Sequence, residues 1–201
     1  MSDIEDSISS TSEYSGSESP SFNKNDNNIL LDNISSILES LIEENKNLQN
    51  YREKMKPQKK LTFYSREVPF ISIKDYLYRI HNFSEAEDNT FILALIYIDK
   101  ICEIASIILS EHNIHRILFV SILIAIKYNE DVYYDNKYYA KIAGVSSKEL
   151  RKMESEYLKL IKFELYVNKN VFDKYKNYIC KNDDNMNKIK NTKKFNIWNS
   201  K

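Results

Sequence analysis

The chain has 201 residues with 29 basic and 29 acidic side chains, a length that favours one domain with tails and a charge balance that argues against a dedicated nucleic-acid-binding protein. Its two glycines and three prolines disfavour folds with many tight turns, and its two cysteines cannot form a disulfide framework. No segment resembles a signal peptide or approaches the ~20 apolar residues of a membrane span, so we expect a nuclear or cytoplasmic protein without a membrane contact.

The two ends of the chain differ in composition from its middle. Residues 1–27 are rich in serine and acidic residues and poor in apolar ones, so we predict a disordered tail. Within it, Ser19 precedes Pro20, a minimal pattern for a proline-directed kinase that is equally compatible with no modification. Residues 181–201 are rich in lysine and asparagine, and we interpret them as a second, solvated tail.

An amphipathic helix is predicted over residues 28–56, followed by a connector over residues 57–70. The apolar residues that recur at helical spacing are Leu30, Leu31, Ile34, Ile37, Leu38, Leu41, Ile42 and Leu48. The opposite face is charged, so this helix must pack its apolar face on another part of the protein. Pro57 and Pro69 mark the connector.

A compact helical block is predicted over residues 71–180, and each of its first five helices has a start signal. The predicted N-terminal caps are Ser72, Ser84, Asn113, Asp135 and Ser146. Glu87 and Glu149 each lie three residues after a capping serine, which is the spacing of a capping box. Gly144 favours the left-handed conformation that ends the fourth helix. A further helix is predicted near residues 170–180.

The third helix of this block, over residues 114–128, is apolar on every side. Its sequence IHRILFVSILIAIKY has the composition of a helix surrounded by others. We therefore predict an all-α domain of five helices around a central apolar helix, preceded by the amphipathic helix docked outside it. The central helix ends in Lys127 and a polar cluster, in which we interpret Glu130 and Asp131 as solvated.

No catalytic constellation is visible in the sequence. Two glycines exclude a Gly-rich phosphate loop. His112 and His115 are three residues apart, but no further residues complete a metal site around them, so we expect neither a metal nor a cofactor. A binding or regulatory role is favoured over an enzyme.

One segment, YAKIAGVSSKELRKMES, resembles a bacterial helix-turn-helix. That interpretation would place Ser147, Lys148 and Arg151 near DNA bases. Acidic residues on the same helix, its apolar stripe and the neutral chain oppose this interpretation. A DNA-binding regulator is therefore kept as an alternative, and nucleic acid is not the partner we expect.

A longer resemblance runs from Val68 to about Phe172. Its pieces, in chain order, are ISIKDYLYRI, ALIYIDKI, NIHRILFVSILIAIKYNED, YYDNKYYAKIAGVSSKEL and MESEYLKLIKFELYV. Together they resemble the cyclin box of P-type cyclins, the branch that includes plant U-type and fungal phosphate-response cyclins. The run NKYYAKIAGVS, which begins at Asn136, is specific to this branch. The chain resembles a single box, because no second one fits after residue 167.

The resemblance implies a non-catalytic subunit that activates a cyclin-dependent protein kinase in cell-cycle or nutrient-linked control. In the family, the third and fifth box helices pack on the C-helix of the kinase small lobe. A Lys and a Glu are characteristic of that contact, and Lys127 and Glu154 fall on their positions. The apolar residues that match contact positions are Ile124, Tyr128, Leu158, Phe163 and Leu165. A simple surface pair between Lys127 and Glu154 is the alternative.

The chain departs from many cell-cycle cyclins at the start of the box. Where they have Met-Arg-Ala-Ile-Leu followed by a Trp, this chain has IKDYL at residues 73–77, so we do not expect docking of Arg-x-Leu substrates. A cyclin-fold transcription adaptor that binds a protein other than a kinase is a further alternative. We expect no homo-oligomer.

Overall fold

The computed structural model describes residues 28–47 and 61–181, which contain seven α-helices and no strand. The helices are α1 (Ile29–Lys46), α2 (Ile73–Ser84), α3 (Asp88–Ile104), α4 (Ile114–Asn129), α5 (Asn136–Ala143), α6 (Ser147–Leu160) and α7 (Lys169–Lys181). The prediction of an all-α fold is confirmed. The predicted tails, with Ser19, lie outside the described residues except for Lys181, the last residue of α7. Residues 48–56 of the first predicted helix and residues 57–60 of the predicted connector lie outside them too.

Local start and stop signals operate in α2, α5 and α6 as the sequence predicts. The side chains of Ser72, Asp135 and Ser146 each accept a hydrogen bond from the N–H three residues later, at 2.9, 2.8 and 3.1 Å. Gly144 ends α5 with a φ of +72°, a conformation in which an L side chain would be strained. These elements are therefore specified largely by neighbouring residues.

The capping box predicted at the start of α3 is wrong. Ser84 is the last residue of α2, and Glu87 precedes α3 without a side-chain capping bond. Glu130, just after α4, takes over this role, because its Oε1 accepts the N–H of Glu87 at 3.1 Å and the hydroxyl of Thr90 at 2.6 Å. The carboxylate interpreted as solvated thus lies at a helix N-terminus, where the helix dipole favours negative charge.

The centre of the domain is formed by two helices. As predicted, α4 is surrounded: each residue from Ile117 to Ile126 is at most 2% exposed, and α4 contacts α2, α3, α5 and α6. The sequence did not single out α3, yet its residues from Phe91 to Ile98 are also buried, and α3 packs on α4, α6, α7 and α1. The other helices cover this central pair.

The first helix, α1, belongs to the same core rather than to a separate layer. It packs on α2, α3 and α7. Its buried apolar residues are Leu31, Ile34, Ile37, Leu38 and Ile42. Asn33 Nδ2 on its other side donates to the main-chain oxygen of Ile179 in α7 at 3.0 Å. The amphipathic pattern therefore predicted a buried face correctly, and the structure shows what covers it.

A buried hydrogen-bond chain ties α6 to both central helices. The Tyr157 hydroxyl on α6 donates to the main-chain oxygen of Tyr97 on α3 at 2.8 Å and lies 2.7 Å from Ser121 Oγ on α4. Burial raises the pKa of Tyr157 well above its ordinary value, so this phenol stays neutral. The chain fixes α6 against α4, the two helices that carry the charged residues predicted at the site.

We expect Tyr157→Phe to lower the free energy of unfolding by about 1–3 kcal/mol, because two buried polar groups lose a hydrogen-bond partner. Urea unfolding followed by circular dichroism measures this change. Tyr166→Phe is the matched control, since Tyr166 is 73% exposed, and it should change stability by less than about 0.5 kcal/mol. An unchanged unfolding midpoint in Tyr157→Phe would contradict the structural role of this hydroxyl.

A half-buried carboxyl joins α7 to α3. The Tyr175 hydroxyl donates to Asp99 Oδ2 at 2.5 Å. Burial raises the pKa of Asp99 from 3.8 to about 6, the hydrogen bond from Tyr175 opposes this rise, and the nearby Glu103 charge adds to it. Since the folded pKa exceeds the unfolded one, the stabilisation is complete below the unfolded pKa and is lost as pH rises through the folded pKa.

Titration of Asp99 should therefore lower the free energy of unfolding by on the order of 2 kcal/mol between about pH 4 and pH 7. Asp99→Asn removes this titration and keeps an acceptor for Tyr175, so its stability should fall less with pH than that of the wild type. Urea unfolding at several pH values measures the slope, with the exposed Glu67→Gln as control. Identical slopes in wild type and Asp99→Asn would show that Asp99 does not titrate in this window.

Candidate functional site

Lys127 and Glu154 come together at the exposed end of α4. Lys127 lies in the last turn of α4, where a cation is favoured by the helix dipole, and Glu154 lies within α6. Lys127 Nζ is 2.6 Å from Glu154 Oε1. The two side chains are 25% and 15% exposed, so they form a half-buried ion pair that solvent still reaches.

A third residue, Asn136, completes this group, and the sequence analysis gave it no role in the site. It is the first residue of α5, and its Nδ2 donates to Glu154 Oε2 at 3.0 Å. Each oxygen of the Glu154 carboxylate therefore has its own donor, one from α4 and one from α5. We call Lys127, Glu154 and Asn136 the charged cluster. One sequence feature could have pointed to Asn136: it is the first residue of the run NKYYAKIAGVS, which is specific to the P-type branch.

The apolar residues predicted beside the pair differ in exposure. Phe163 is 64% exposed and Tyr128 is 49% exposed, whereas Leu158 and Leu165 are half-buried against the core. Ile124 is only 2% exposed in the free chain, so it offers a partner much less surface than the other four residues, and its contact with a partner stays a prediction. It lies about one turn before the lysine, inside the core, and supports the last turn of α4.

A left-handed turn presents Phe163 to solvent. The helix α6 ends at Leu160, and both Lys162 and Phe163 have positive φ angles, +55° and +57°. This region is unfavourable for residues with a side chain, and two such residues in succession store backbone strain. The Phe163 N–H donates to the main-chain oxygen of Leu158 at 2.9 Å, which closes the turn.

The helix α3 holds this turn in place. The Tyr97 hydroxyl donates to the main-chain oxygen of Leu165 at 2.7 Å, and Lys100 Nζ donates to that of Glu164 at 2.5 Å. Burial raises the pKa of Tyr97 far above its ordinary value, and the nearby Tyr128 adds to the rise. These contacts offset the backbone strain, so the exposed aromatic ring has a fixed base.

The residues of the helix-turn-helix interpretation lie at the start of α6, whose exposed face is basic. Lys148 and Arg151 are exposed and Ser147 is half-buried at the start of α6. Glu149 lies among them and pairs with Arg116 of α4 at 2.7 Å. The other face of α6 is buried in the core. The exposed cations of α6 are Lys148, Arg151, Lys152 and Lys159, whereas its acidic residues Glu149, Glu154 and Glu156 are half-buried with partners on other elements. The DNA-binding alternative therefore stays a prediction.

Groups that could hold a metal ion, with three or more His, Cys, Asp or Glu side chains, do not occur within residues 28–47 and 61–181. His115 Nε2 lies 2.9 Å from the main-chain oxygen of Ile71, and burial lowers the pKa of this imidazole. Its role is therefore structural. None of the described helices combines the length and the apolar character that crossing a membrane requires.

Comparison with known proteins assigns this fold to a family. The Cyclin family model matches residues 28–165, from the start of α1 to the turn after α6. Cyclin-U2-2 of Arabidopsis thaliana is 40% identical over 114 residues, which cover 56% of this chain and 50% of that protein. Cyclin-U4-1 of the same plant is 34% identical over 149 residues, which cover 74% of this chain and 73% of that protein.

A further relative comes from a second plant. Cyclin-P3-1 of Oryza sativa subsp. japonica is 32% identical over 113 residues, which cover 56% of this chain and 48% of that protein. The chain spans about half the length of Cyclin-U2-2 and Cyclin-U2-1. The family match includes the whole charged cluster and leaves α7 outside it. The chain therefore belongs to the cyclin family, and its relatives place it in the P/U-type branch.

Proposed function

We propose that this cyclin binds and activates a cyclin-dependent protein kinase through the charged cluster and the apolar residues beside it. Membership of the cyclin family implies a regulatory, non-catalytic protein. The observation that carries the proposal is the solvent-accessible Lys127–Glu154 pair at 2.6 Å. Tyr128 is exposed next to Lys127, and Phe163 is exposed three residues after the end of α6, the helix that carries Glu154. A few charged groups among aromatic anchors are the usual composition of a protein interface.

The kinase element expected on this surface is the C-helix of the small lobe. A Glu of that helix must pair with the ATP-positioning Lys before phosphoryl transfer can proceed. In the proposal, the Lys127 ammonium donates to main-chain carbonyl groups beside the C-helix, and the Glu154 carboxylate accepts N–H groups. Because α4 and α6 are joined by the buried Tyr157 hydroxyl, the surface can hold the C-helix in a single position.

The energetics of the ion pair separate a binding role from a structural one. The pair contributes little net free energy to folding, because the attraction between its half-buried charges is offset by the cost of removing both groups from water. The same two groups contribute more across an interface from which water is excluded. Replacing either residue should therefore affect kinase binding more than the stability of the cyclin.

We expect Lys127→Ala and Glu154→Ala each to weaken kinase binding by about 1–3 kcal/mol, a roughly 5- to 150-fold loss. The measurements are a pull-down from cell extract, followed by a histone-type phosphorylation assay of the recovered complex. Lys74→Ala is the matched control, because it removes a different surface ion pair, Lys74–Asp32 at 2.9 Å on α2 and α1. It should leave both readouts unchanged.

Two results would count against the proposal. Full kinase binding and activity in both alanine variants would refute the assignment of the site. Recovery of a partner that is not a kinase, with no phosphorylation activity in the wild-type complex, would instead favour the transcription-adaptor alternative.

The strained turn gives a second prediction. We expect Phe163→Gly to reduce kinase activation, because it removes an exposed aromatic contact. The same change relieves a positive φ angle, so the free energy of unfolding should stay unchanged or rise by up to about 1 kcal/mol. Urea unfolding and the phosphorylation assay together measure both effects. A loss of stability that accompanies the loss of activation would show that Phe163 supports the fold instead.

A further inference from the structure

Asn136 lies inside the charged cluster, but nothing in the proposed contact yet requires it. It is half-buried at the start of α5, and its side-chain amide points its Nδ2 donor at Glu154 Oε2. The preceding residue, Asp135, already caps α5 by accepting the Tyr138 N–H at 2.8 Å. The Asn136 side chain is therefore not needed as a helix cap and serves the carboxylate of another helix.

The free chain poses a problem for the proposed contact. Lys127 and Glu154 bind each other at 2.6 Å, so Lys127 must give up or share Glu154 when its ammonium turns to a kinase carbonyl. The Glu154 side chain is 15% exposed. A largely buried carboxylate that loses its donor is destabilised, because water does not fully replace the lost hydrogen bond. This cost would weaken kinase binding. A second donor that stays in place would remove much of this penalty.

We propose that Asn136 is a positioning residue of the kinase-contact site, whose amide holds the Glu154 carboxylate while Lys127 exchanges Glu154 for an acceptor on the kinase. This inference rests on the function proposed above. Asn136 acts through Glu154 and need not touch the kinase itself. The two donors on Glu154 thus have different roles. The hydrogen bond from the Asn136 amide persists in the complex, whereas the bond from the Lys127 ammonium is exchanged for one to the kinase.

The residue type suits this role. A neutral amide donates a hydrogen bond without a positive charge that would compete with Lys127 for the carboxylate. Its short side chain starts from the first turn of α5, which Asp135 and Gly144 fix at both ends. An aspartate at the same place would have the same shape but could not donate, and it would repel Glu154. It would also suit the helix N-terminus, so α5 itself would not be weakened.

Asn136→Asp is therefore the sharpest test, with Asn136→Ala beside it. Binding is measured by titrating each variant with the kinase recovered with the wild-type chain. We expect roughly a tenfold or greater loss of affinity for Asn136→Asp and about a 3- to 10-fold loss for Asn136→Ala. Lys137→Ala, an exposed neighbour on α5, is the matched control and should bind as the wild type does.

A double-mutant cycle separates positioning from a merely structural role. If Asn136 acts through Glu154, then Asn136→Ala should have less than about a twofold effect in the Glu154→Ala background. The hydrogen bond can also be tested by NMR on the free cyclin, without the kinase. The side-chain amide resonances of Asn136 should shift in Glu154→Ala and stay in place in Lys137→Ala. Circular dichroism checks that every variant keeps its helices.

The outcomes distinguish this inference from the proposed function. Weak binding by Glu154→Ala together with normal binding by both Asn136 variants would overturn the inference alone. An equal loss from Asn136→Ala with and without Glu154 would also overturn it, since Asn136 would then act independently. Normal binding by Glu154→Ala would overturn the proposed site and the inference together.

Discussion

Burial of α4 from Ile117 to Ile126 is the constraint on which the rest of the structure depends. A helix that is apolar on every side is stabilised by about 25 cal/mol for each Å² of apolar surface removed from water, so other helices must cover all its faces. This cover ends at the last turn, where Lys127 emerges. A cation at that point has a rigid base, because the preceding turn is in the core.

Tyr97 connects this core to the proposed kinase surface at two places. Its main-chain oxygen accepts the Tyr157 hydroxyl of α6, and its own hydroxyl donates to the main-chain oxygen of Leu165 in the turn after α6. One residue of α3 thus holds both the helix that carries Glu154 and the turn that exposes Phe163. A surface held in this way is suited to a regulatory subunit that must keep a partner's helix in one position.

The charged cluster and the strained turn differ in how far the free chain satisfies them. Glu154 is satisfied within the free chain, while Phe163 is exposed on a backbone conformation that aromatic residues rarely adopt. The exposed ring on a strained backbone is not what folding stability alone would favour at a surface. In the proposed complex, the kinase would cover the ring and accept a hydrogen bond from Lys127. The cyclin would then make contacts in the complex that it lacks when it is free.

The sequence by itself determined the all-α class, the helix caps at Ser72, Asp135 and Ser146, and the burial of α4, because these depend on neighbouring residues and on a one-helix pattern. The family resemblance selected Lys127 and Glu154 as site residues. It also selected Ile124, which the fold buries, since a motif position does not state its depth.

Only the tertiary structure decided which residues meet from different helices. Glu130 caps α3 in place of Ser84, α3 joins α4 at the centre, and Asn136 binds Glu154 across 18 positions of the chain. No local pattern encodes these contacts, because each depends on the relative placement of two helices. That placement follows from how the whole core packs, which is a property of all the helices together.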